Sequence, residues 1–464
     1  MSASTASERV TSKVLLLRAT ALMAASRLVG TPVSLLIAAL LTHNLARSDY
    51  AFYGALNSFS LLFVVVAQFG YQTGIVRIMG EHQRAPRTGA AAGEFTGALL
   101  VTGVVGMALA GGFLLVGRGW LPRSGIYPIS LYFLAAGVLL FKAINTVSAE
   151  ALRGLGRVGF ASIFNGQGTE GGLVRAVISL ALLATVFAAE GLNLKAAVGI
   201  AGLSSLLCAL MASVLVYRLL GGFASLRDVA ARAAVRVPRN FDFLLAQLLQ
   251  IACSGAVANI IGANVLEAAS LAGFIAAIQV LNLLNAPLTL LNGAAPSLLI
   301  KFNNEGKKEE LEELLRLGAS FAFLIACCAC SVLLAIGPAG FQFVFGSNYA
   351  DSYFHFACLV PALLVTVFTG MSGRAILLIG RVQTHRNIMF VASAISVPLY
   401  YVAATTWGVY GLTAALSFSL IFQNAMLAVA ARRQLGVSTL ASINPGFYLS
   451  NLRKITRKAK GKFS

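Results

Sequence analysis

Long apolar stretches recur along the whole chain, and they constrain the fold more than any other feature. Each has about 18 residues or more, enough for a helix to cross the ~30 Å hydrocarbon core of a bilayer. Because a backbone in lipid must satisfy its own hydrogen bonds, such spans are helices. The sequence therefore predicts an all-α polytopic membrane protein. We predict twelve spans, at about 18–41, 50–71, 92–116, 126–148, 170–189, 196–217, 241–262, 269–299, 317–337, 354–373, 388–405 and 408–430.

The spacing of these spans leaves no room for a separate soluble domain. Only 11% of the 464 residues are charged, whereas a typical soluble domain has roughly 25%. The first apolar run lacks the short core and cleavage site of a secretory signal peptide, so we expect it to be retained as a span. Dividing the twelve spans into two sets of six predicts two pseudo-symmetric six-helix lobes, at 1–217 and 241–430. A linker at 218–240 joins them, and a basic tail follows at 431–464.

The net charge of +19 is distributed in a way that indicates a membrane rather than nucleic acid as the partner. With the N-terminus in the cytoplasm, most of the 35 Lys and Arg residues fall in cytoplasmic loops or in the tail, as the positive-inside rule requires. Those on the opposite side are Arg47, Arg118, Arg123 and Lys195. We therefore expect both termini in the cytoplasm and the tail against anionic lipid headgroups.

Cysteine and histidine residues show no pattern of a metal site or a catalytic set. Cys327, Cys328 and Cys330 lie in an apolar run with no histidine nearby, so they are expected to be small buried side chains. The four histidines lie at predicted span ends without the spacing of metal ligands. No glycine-rich loop that would cradle the phosphates of ATP is recognisable. The sequence predicts no metal, no cofactor and no enzyme activity.

A Gly-Arg-Val triplet is repeated at matching places in the two predicted lobes. It ends span four at 156–158 and span ten at 380–382. Six spans per lobe bring both lobes in from the same side of the membrane, as in transporters built from two parallel repeats. The repeat predicts a site between the lobes. Polar residues of the two lobes also correspond at nearly the same offset. Asn57 corresponds to Asn282, and Gln68 corresponds to Asn292.

Polar side chains form stripes on three spans. At 100° per residue, those of span eight fall within about an 80° arc and those of span seven within about 60°. Pro287 and Pro296 weaken the backbone ladder of span eight, so we expect a bent helix. Amides and hydroxyls suit sugar hydroxyls, although they also join neighbouring helices. The stripes predict a sugar pathway along Asn57, Gln68, Gln247, Gln250, Asn282, Asn285, Thr289 and Asn292.

Cations inside the spans indicate a binding site more strongly than the polar stripes do, because an uncompensated charge in lipid is costly. The acidic residues that could neutralise them lie at span ends. An anion is therefore expected to bind there, and a diphosphate suits guanidinium groups, which bind phosphate oxygens in pairs. Snorkelling to the headgroups is the alternative. The candidate diphosphate ligands are Arg27, Lys142, Arg175 and Arg18.

The stretch "LARSDYAFYGALNSFSLLFVVVAQFGYQTGIVRI" at 45–78 resembles the region around span two in bacterial polysaccharide flippases. The Gly-Arg pairs at 156–157 and 380–381 are similar to the turns after spans four and ten of that family. The family is a branch of the multidrug/oligosaccharidyl-lipid/polysaccharide exporter (MOP) superfamily. The resemblance implies twelve helices in two lobes, alternating access, and a place in the bacterial cytoplasmic membrane.

The resemblance also implies a function. It is that of a flippase for polyprenyl-diphosphate-linked oligosaccharide in lipopolysaccharide or exopolysaccharide biosynthesis, with a polysaccharide polymerase as a candidate partner. An ion-coupled multidrug or metabolite antiporter of the same superfamily is the first alternative. Such antiporters usually need a buried carboxylate, whereas this interior is cationic. A membrane polymerase or ligase of lipid-linked sugars is the second alternative, and the short external loops offer it no catalytic residues.

Overall fold

The structure, a computed structural model, describes residues 25–26, 28–84, 88–120, 127–165, 172–222, 241–379, 382–442 and 444. Over these residues the chain forms helices and no strands, and each predicted span overlaps at least one of the helices. The all-α class is confirmed. The predicted linker from 223 onward and the tail from 445 onward lie outside the described residues, so the lobe boundaries stay predictions.

The N-terminal half, which we take up to residue 222, is built around one central helix, α5. This helix packs against several of the other described helices, and its buried face carries small side chains such as Ala135 and Ala143 that allow close approach. The helices are α1 (Leu28–Asn44), α2 (Arg47–Gln68), α3 (Tyr71–Arg84), α4 (Thr88–Trp120), α5 (Ile129–Gly154), α6 (Val158–Phe164), α7 (Leu173–Glu190) and α8 (Leu194–Leu220).

The C-terminal half, from residue 241, has more interrupted helices. Its last one turns at Gly408, whose φ of 64° is accessible to glycine without strain, and this kink separates the eleventh and twelfth predicted spans. The helices are α9 (Phe241–Ala252), α10 (Gly255–Val265), α11 (Ala268–Leu284), α12 (Ala286–Ala294), α13 (Pro296–Asn304), α14 (Lys308–Ile336), α15 (Pro338–Phe345), α16 (Ser352–Thr369), α17 (Ser372–Ile379) and α18 (Val382–Leu435).

The outer surface is apolar, as a bilayer requires. Seven of the described helices are long and apolar enough to cross a membrane, and two bent pairs pass the same test together. Large apolar side chains such as Leu115, Phe343 and Trp407 are exposed around the helices. Exposed apolar surface on this scale indicates contact with lipid rather than water. The chain is a multi-pass membrane protein.

Two of the predicted spans are broken in the middle. The axes of α11 and α12 differ by 51°, with Pro287 in the first turn of α12, so the predicted bend in span eight is confirmed. The axes of α9 and α10 differ by 58° across a break at Cys253 and Ser254. This second break contains no proline, and the sequence did not predict it.

The first copy of the repeated Gly-Arg-Val triplet is a tight turn. Gly156 follows the end of α5 with φ at 71°, and Arg157 precedes α6. Gly154, just before the turn, lies so close to α3 that an added Cβ would come within 2.7 Å of the Val76 carbonyl oxygen. The triplet therefore begins a reversal of the chain at the end of span four. Its second copy lies partly outside the described residues.

Candidate functional site

The two halves meet along α2, which packs against α9, α10 and α11. Gly54 allows this approach, since an added Cβ would lie 2.7 Å from the side chain of Ile275. A hydrogen bond crosses the same interface, from Asn259 Nδ2 to Ser58 Oγ at 2.9 Å. The contact between the halves thus combines close helix packing with a buried polar link.

A central cavity of about 210 Å³ opens where α2 meets the two broken spans. Ligand pockets are commonly ~300–1,000 Å³, so this cavity is small in the observed conformation. Its apolar lining comes from residues such as Leu61, Ile278 and Leu420. None of its described lining residues is charged. The polar lining consists of Asn57, Ser58, Ser254, Asn259, Gln279, Asn282, Asn285 and Thr366.

Lys142 supplies a positive charge directly behind this lining. Its Nζ donates to Asn57 Oδ1 at 2.7 Å and to Ser60 Oγ at 3.0 Å, which joins α5 to α2. These bonds fix the Asn57 amide with its oxygen towards the lysine. Asn57 Nδ2 is then a buried donor without a partner among the described residues. A ligand oxygen in the cavity would satisfy it.

The breaks in the two spans place backbone and side-chain polar groups beside the cavity. Ser254 ends the break between α9 and α10, and its Oγ accepts a hydrogen bond from Ala256 N at 3.2 Å, which caps α10. The Cys253 carbonyl freed by the same break accepts from Tyr400 Oη at 3.0 Å. Irregular backbone at membrane depth is tolerated where it is buried or lines a cavity. Interrupted spans of this kind point to binding sites in transporters.

The structure brings together part of the predicted site. Asn57, Asn282 and Asn285 line the cavity, and Lys142 binds Asn57. The first two are the predicted equivalents in the two halves, and each reaches the same cavity from its own half. The structure therefore places one of the predicted cations beside one of the predicted amides. Their roles towards a substrate stay predictions.

The other predicted sugar-pathway residues do not line the cavity. The predicted arcs assumed unbroken helices, and the bends separate Thr289 and Asn292 from Asn282, and Gln247 and Gln250 from Ser254. Gln68 is fully buried within the N-terminal half, where its Nε2 donates to the Ala143 carbonyl at 3.3 Å. That bond matches the alternative role of joining helices.

The remaining predicted cations do not add to the cavity lining. Arg175 lies at the start of α7 and is only 3% exposed, away from the lining residues. Arg18 and Arg27 lie outside the described residues, so their predicted contact with a diphosphate stays a prediction. Lys142 is the predicted cation that the structure connects to the cavity.

Among the polar lining residues, Ser254 belongs to the predicted stripe of span seven, whereas the sequence did not predict Ser58, Asn259, Gln279 and Thr366. Gln279 precedes Asn282 by three residues and shares its helix face, so extending the stripe by one turn would have found it. Asn259 lies off the stripe of an unbroken span seven, and it reaches the cavity because the span bends. Thr366 is an isolated polar residue whose neighbours in space come from distant parts of the chain.

The architecture defines a class: a polytopic membrane protein whose halves enclose a cavity with apolar walls and several polar side chains, beside interrupted helices. Among solved structures, a MOP superfamily transporter from Pyrococcus furiosus Vc1 (DSM3638) is 16% identical, covers 91% of this chain and 95% of its own, and gives a TM-score of 0.66. A multidrug resistance MATE family transporter in an inward-facing conformation is 16% identical over 90% of this chain and 98% of its own length, with a TM-score of 0.67.

The lipid II flippase MurJ, in an inward closed conformation, is also similar. It is 11% identical over 89% of this chain and 87% of its own, with a TM-score of 0.67. No family model and no curated protein sequence matches the chain. At such identities the likeness shows the fold alone: the chain folds like these three transporters.

Proposed function

We propose that this protein is a flippase that moves polyprenyl-diphosphate-linked oligosaccharide across the bacterial cytoplasmic membrane for surface polysaccharide biosynthesis. The observation that carries the proposal is the central cavity between the halves. Its polar lining is made of neutral amides and hydroxyls, which can donate to and accept from sugar hydroxyls. Lys142, directly behind Asn57, offers the positive charge that a diphosphate needs.

The size of the cavity supports a cycle in which the halves move apart. At about 210 Å³ it cannot hold an oligosaccharide, so the observed conformation is a closed one. The interface along α2 is where separation would widen the cavity, because both halves contribute to its lining. Rocking of two bundles about a shared site is how alternating access works in related architectures.

The positive-inside bias supports an orientation with both termini in the cytoplasm, where lipid-linked sugars would enter. The anionic inner leaflet would hold the basic tail. A polymerase that consumes the translocated oligosaccharide on the outer side is the protein partner that this role implies.

An antiporter for drugs or metabolites is the second candidate, favoured by the likeness to MATE transporters. An antiporter that exchanges a cation for its substrate needs an ionisable side chain to which each of the two binds in turn. The described lining contains no carboxylate, and the amine of Lys142 is hydrogen-bonded to one of its amides. A lining of this polarity suits an anionic, hydroxylated substrate better than a cationic drug.

The proposal is tested by conditional depletion of the protein, followed by extraction of membrane lipids and analysis of the lipid-linked sugars. We expect an oligosaccharide-diphosphate lipid to accumulate on the cytoplasmic side while surface polysaccharide falls. Restoring the wild-type gene should reverse both effects. Normal surface polysaccharide, combined with accumulation of drugs inside the cell, would instead support the antiporter.

A further inference from the structure

A charged contact joins the two halves at the end that the charge bias assigns to the outside. Arg47 at the start of α2 pairs with Asp351 before α16, with Nη2 and Oδ2 2.6 Å apart. The Arg47 guanidinium also lies over the Tyr349 ring, 5.2 Å from its centre, and Tyr50 packs edge-on against the same ring. Gly273 makes room, since an added Cβ would lie 2.9 Å from Asp351 Oδ2. We call these four side chains, Arg47, Tyr50, Tyr349 and Asp351, the external contact.

The external contact leaves several buried polar atoms without partners among the described residues. They include Arg47 Nε, Asp351 Oδ1 and the hydroxyls of Tyr349 and Ser352. Buried polar groups are nearly always hydrogen-bonded, so a concentration of exceptions calls for an explanation. Asp351 in particular keeps one carboxylate oxygen available for a donor that the observed conformation does not supply.

His355 lies one helical turn after Asp351 and shares its helix face. It is only 1% exposed. The groups around it are Phe274 from α11, Thr413 and Tyr410 from α18, and, as the charges that act on it, Asp351 and Arg47. A titratable ring is thus enclosed beside the one ion pair described between the halves at this end.

The hydrogen bonds define which nitrogen of His355 can take a proton. Thr413 has one hydroxyl hydrogen and donates it to the Val409 carbonyl at 2.8 Å. Its Oγ1 therefore accepts from Nδ1 of His355, 3.0 Å away. The neutral ring then carries its hydrogen on Nδ1, which leaves Nε2 as the basic nitrogen.

We propose that His355 is a proton-binding site that controls the external contact. A proton from the outer solution adds to Nε2, and the imidazolium then competes with Arg47 for the carboxylate of Asp351. With neutral His355, the charges of Arg47 and Asp351 cancel. Protonation adds a second positive charge beside one carboxylate, so Arg47 is held less strongly and the halves can part.

Thermodynamic linkage gives the direction of the effect. In the closed conformation the Arg47 guanidinium already lies beside Asp351 and repels a second positive charge on His355, whereas parting of the halves leaves the Asp351 carboxylate free to stabilise the imidazolium. The parted state therefore binds more protons, and acid on the outside favours it. An external proton would thus supply a driving term for opening, whichever substrate the cavity carries.

Hydrogen–deuterium exchange of the full-length protein in lipid nanodiscs tests this inference without any substrate. Peptides that cover 44–56 and 346–358 report on the external contact, after correction for the pH dependence of intrinsic exchange. Between about pH 7.5 and pH 5.5, one linked proton can shift the equilibrium up to ~100-fold, and we expect roughly tenfold faster exchange or more at the lower pH. Peptides from α14 serve as a check that the fold is intact.

Three variants separate His355 from its neighbours. His355→Gln can still donate to Thr413 but cannot become charged, so its exchange should be the same at both pH values. Asp351→Asn should exchange fast at both. His385→Gln is the matched control, because His385 is also buried, at 3% exposed, but lies in the first turn of α18, at the end that the charge bias assigns to the cytoplasm. It should respond like the wild type. A full pH response in His355→Gln, or none in the wild type, would overturn the proposal.

Discussion

At the scale of single residues, Lys142 illustrates how one side chain organises the cavity without lining it. Its bonds to Asn57 and Ser60 orient an amide whose donor is left for a ligand. A charged donor in such a place contributes about 1.5–3 kcal/mol per hydrogen bond. Loss of the lysine would therefore remove both a charge near the cavity and the orientation of Asn57.

We predict that Lys142→Met lowers export of lipid-linked oligosaccharide about tenfold or more, since roughly 1.4 kcal/mol corresponds to each factor of ten. The measurement is complementation of a depletion strain, scored as surface polysaccharide at matched protein levels. Lys195→Met is the control, because Lys195 is exposed at the start of α8. Export at the wild-type level by Lys142→Met would show that this amine does not act on the substrate.

Asn57 and Gln68 were predicted to share one role, and the structure separates them. We predict that Asn57→Leu lowers export even at matched folded levels, because Asn57 faces the cavity, and that it also lowers stability, because its Oδ1 accepts from the Lys142 amine. Gln68→Leu should lower only the free energy of unfolding, by about 0.5–1.5 kcal/mol, because it removes one hydrogen bond between α2 and α5 and leaves the cavity intact. Thermal unfolding in detergent and export at matched folded levels distinguish the two. Identical profiles for both variants would contradict the assignment.

At the scale of helices, hydropathy and proline positions were enough to predict the spans and the bend in span eight. The break in span seven could not be predicted, because Cys253 and Ser254 are compatible with a continuous helix. Their conformation depends on a serine cap and on Tyr400, which comes from α18. Arcs calculated for straight helices then assigned Thr289 and Gln247 to the cavity face, and the bends move them off it.

The bend at Asn285 gives a prediction for the element itself. Pro287→Ala restores a backbone donor and removes a steric clash, so α11 and α12 should approach one continuous helix. Asn282 and Asn285 would then lose their placement beside α2, and export should fall several-fold while the protein still folds. Pro361→Ala, within α16 but exposed, is the matched control and should export normally. Equal export by both variants would argue against a role for the bend.

At the scale of the whole molecule, the contacts between the two halves were the hardest feature to predict from the sequence. The repeat predicted that Asn57 and Asn282 correspond, and both reach the cavity. The pairing of Arg47 with Asp351 joins residues 304 positions apart, and neither residue belongs to any local pattern. Charge bias assigned Arg47 to the outer side, yet its partner emerges only when the two halves are packed together.

That pairing leads to a prediction about the cycle as a whole. Arg47→Asp or Asp351→Arg alone places like charges together at the external contact, so the closed state should be weakened and export should fall. The double variant Arg47→Asp with Asp351→Arg restores a pair of opposite charges, again with one long and one short side chain. It should therefore regain much of the export. Coupling energies between contacting residues are about 0.5–3 kcal/mol, and partial exposure of both side chains, 27% and 35%, favours the lower part of that range.

Export of the two single variants and the double variant, measured at matched protein levels, completes the cycle. Lys307 and Glu305 provide the control pair, since their 2.7 Å contact is similar in length but lies on an exposed loop within one half. Exchanging Lys307 and Glu305 should leave export unchanged, singly or together, because that pair does not join the halves. The cycle at Arg47 and Asp351 should be strongly non-additive. If the double variant exported no better than the singles, the ion pair would be a consequence of closure rather than one of its causes.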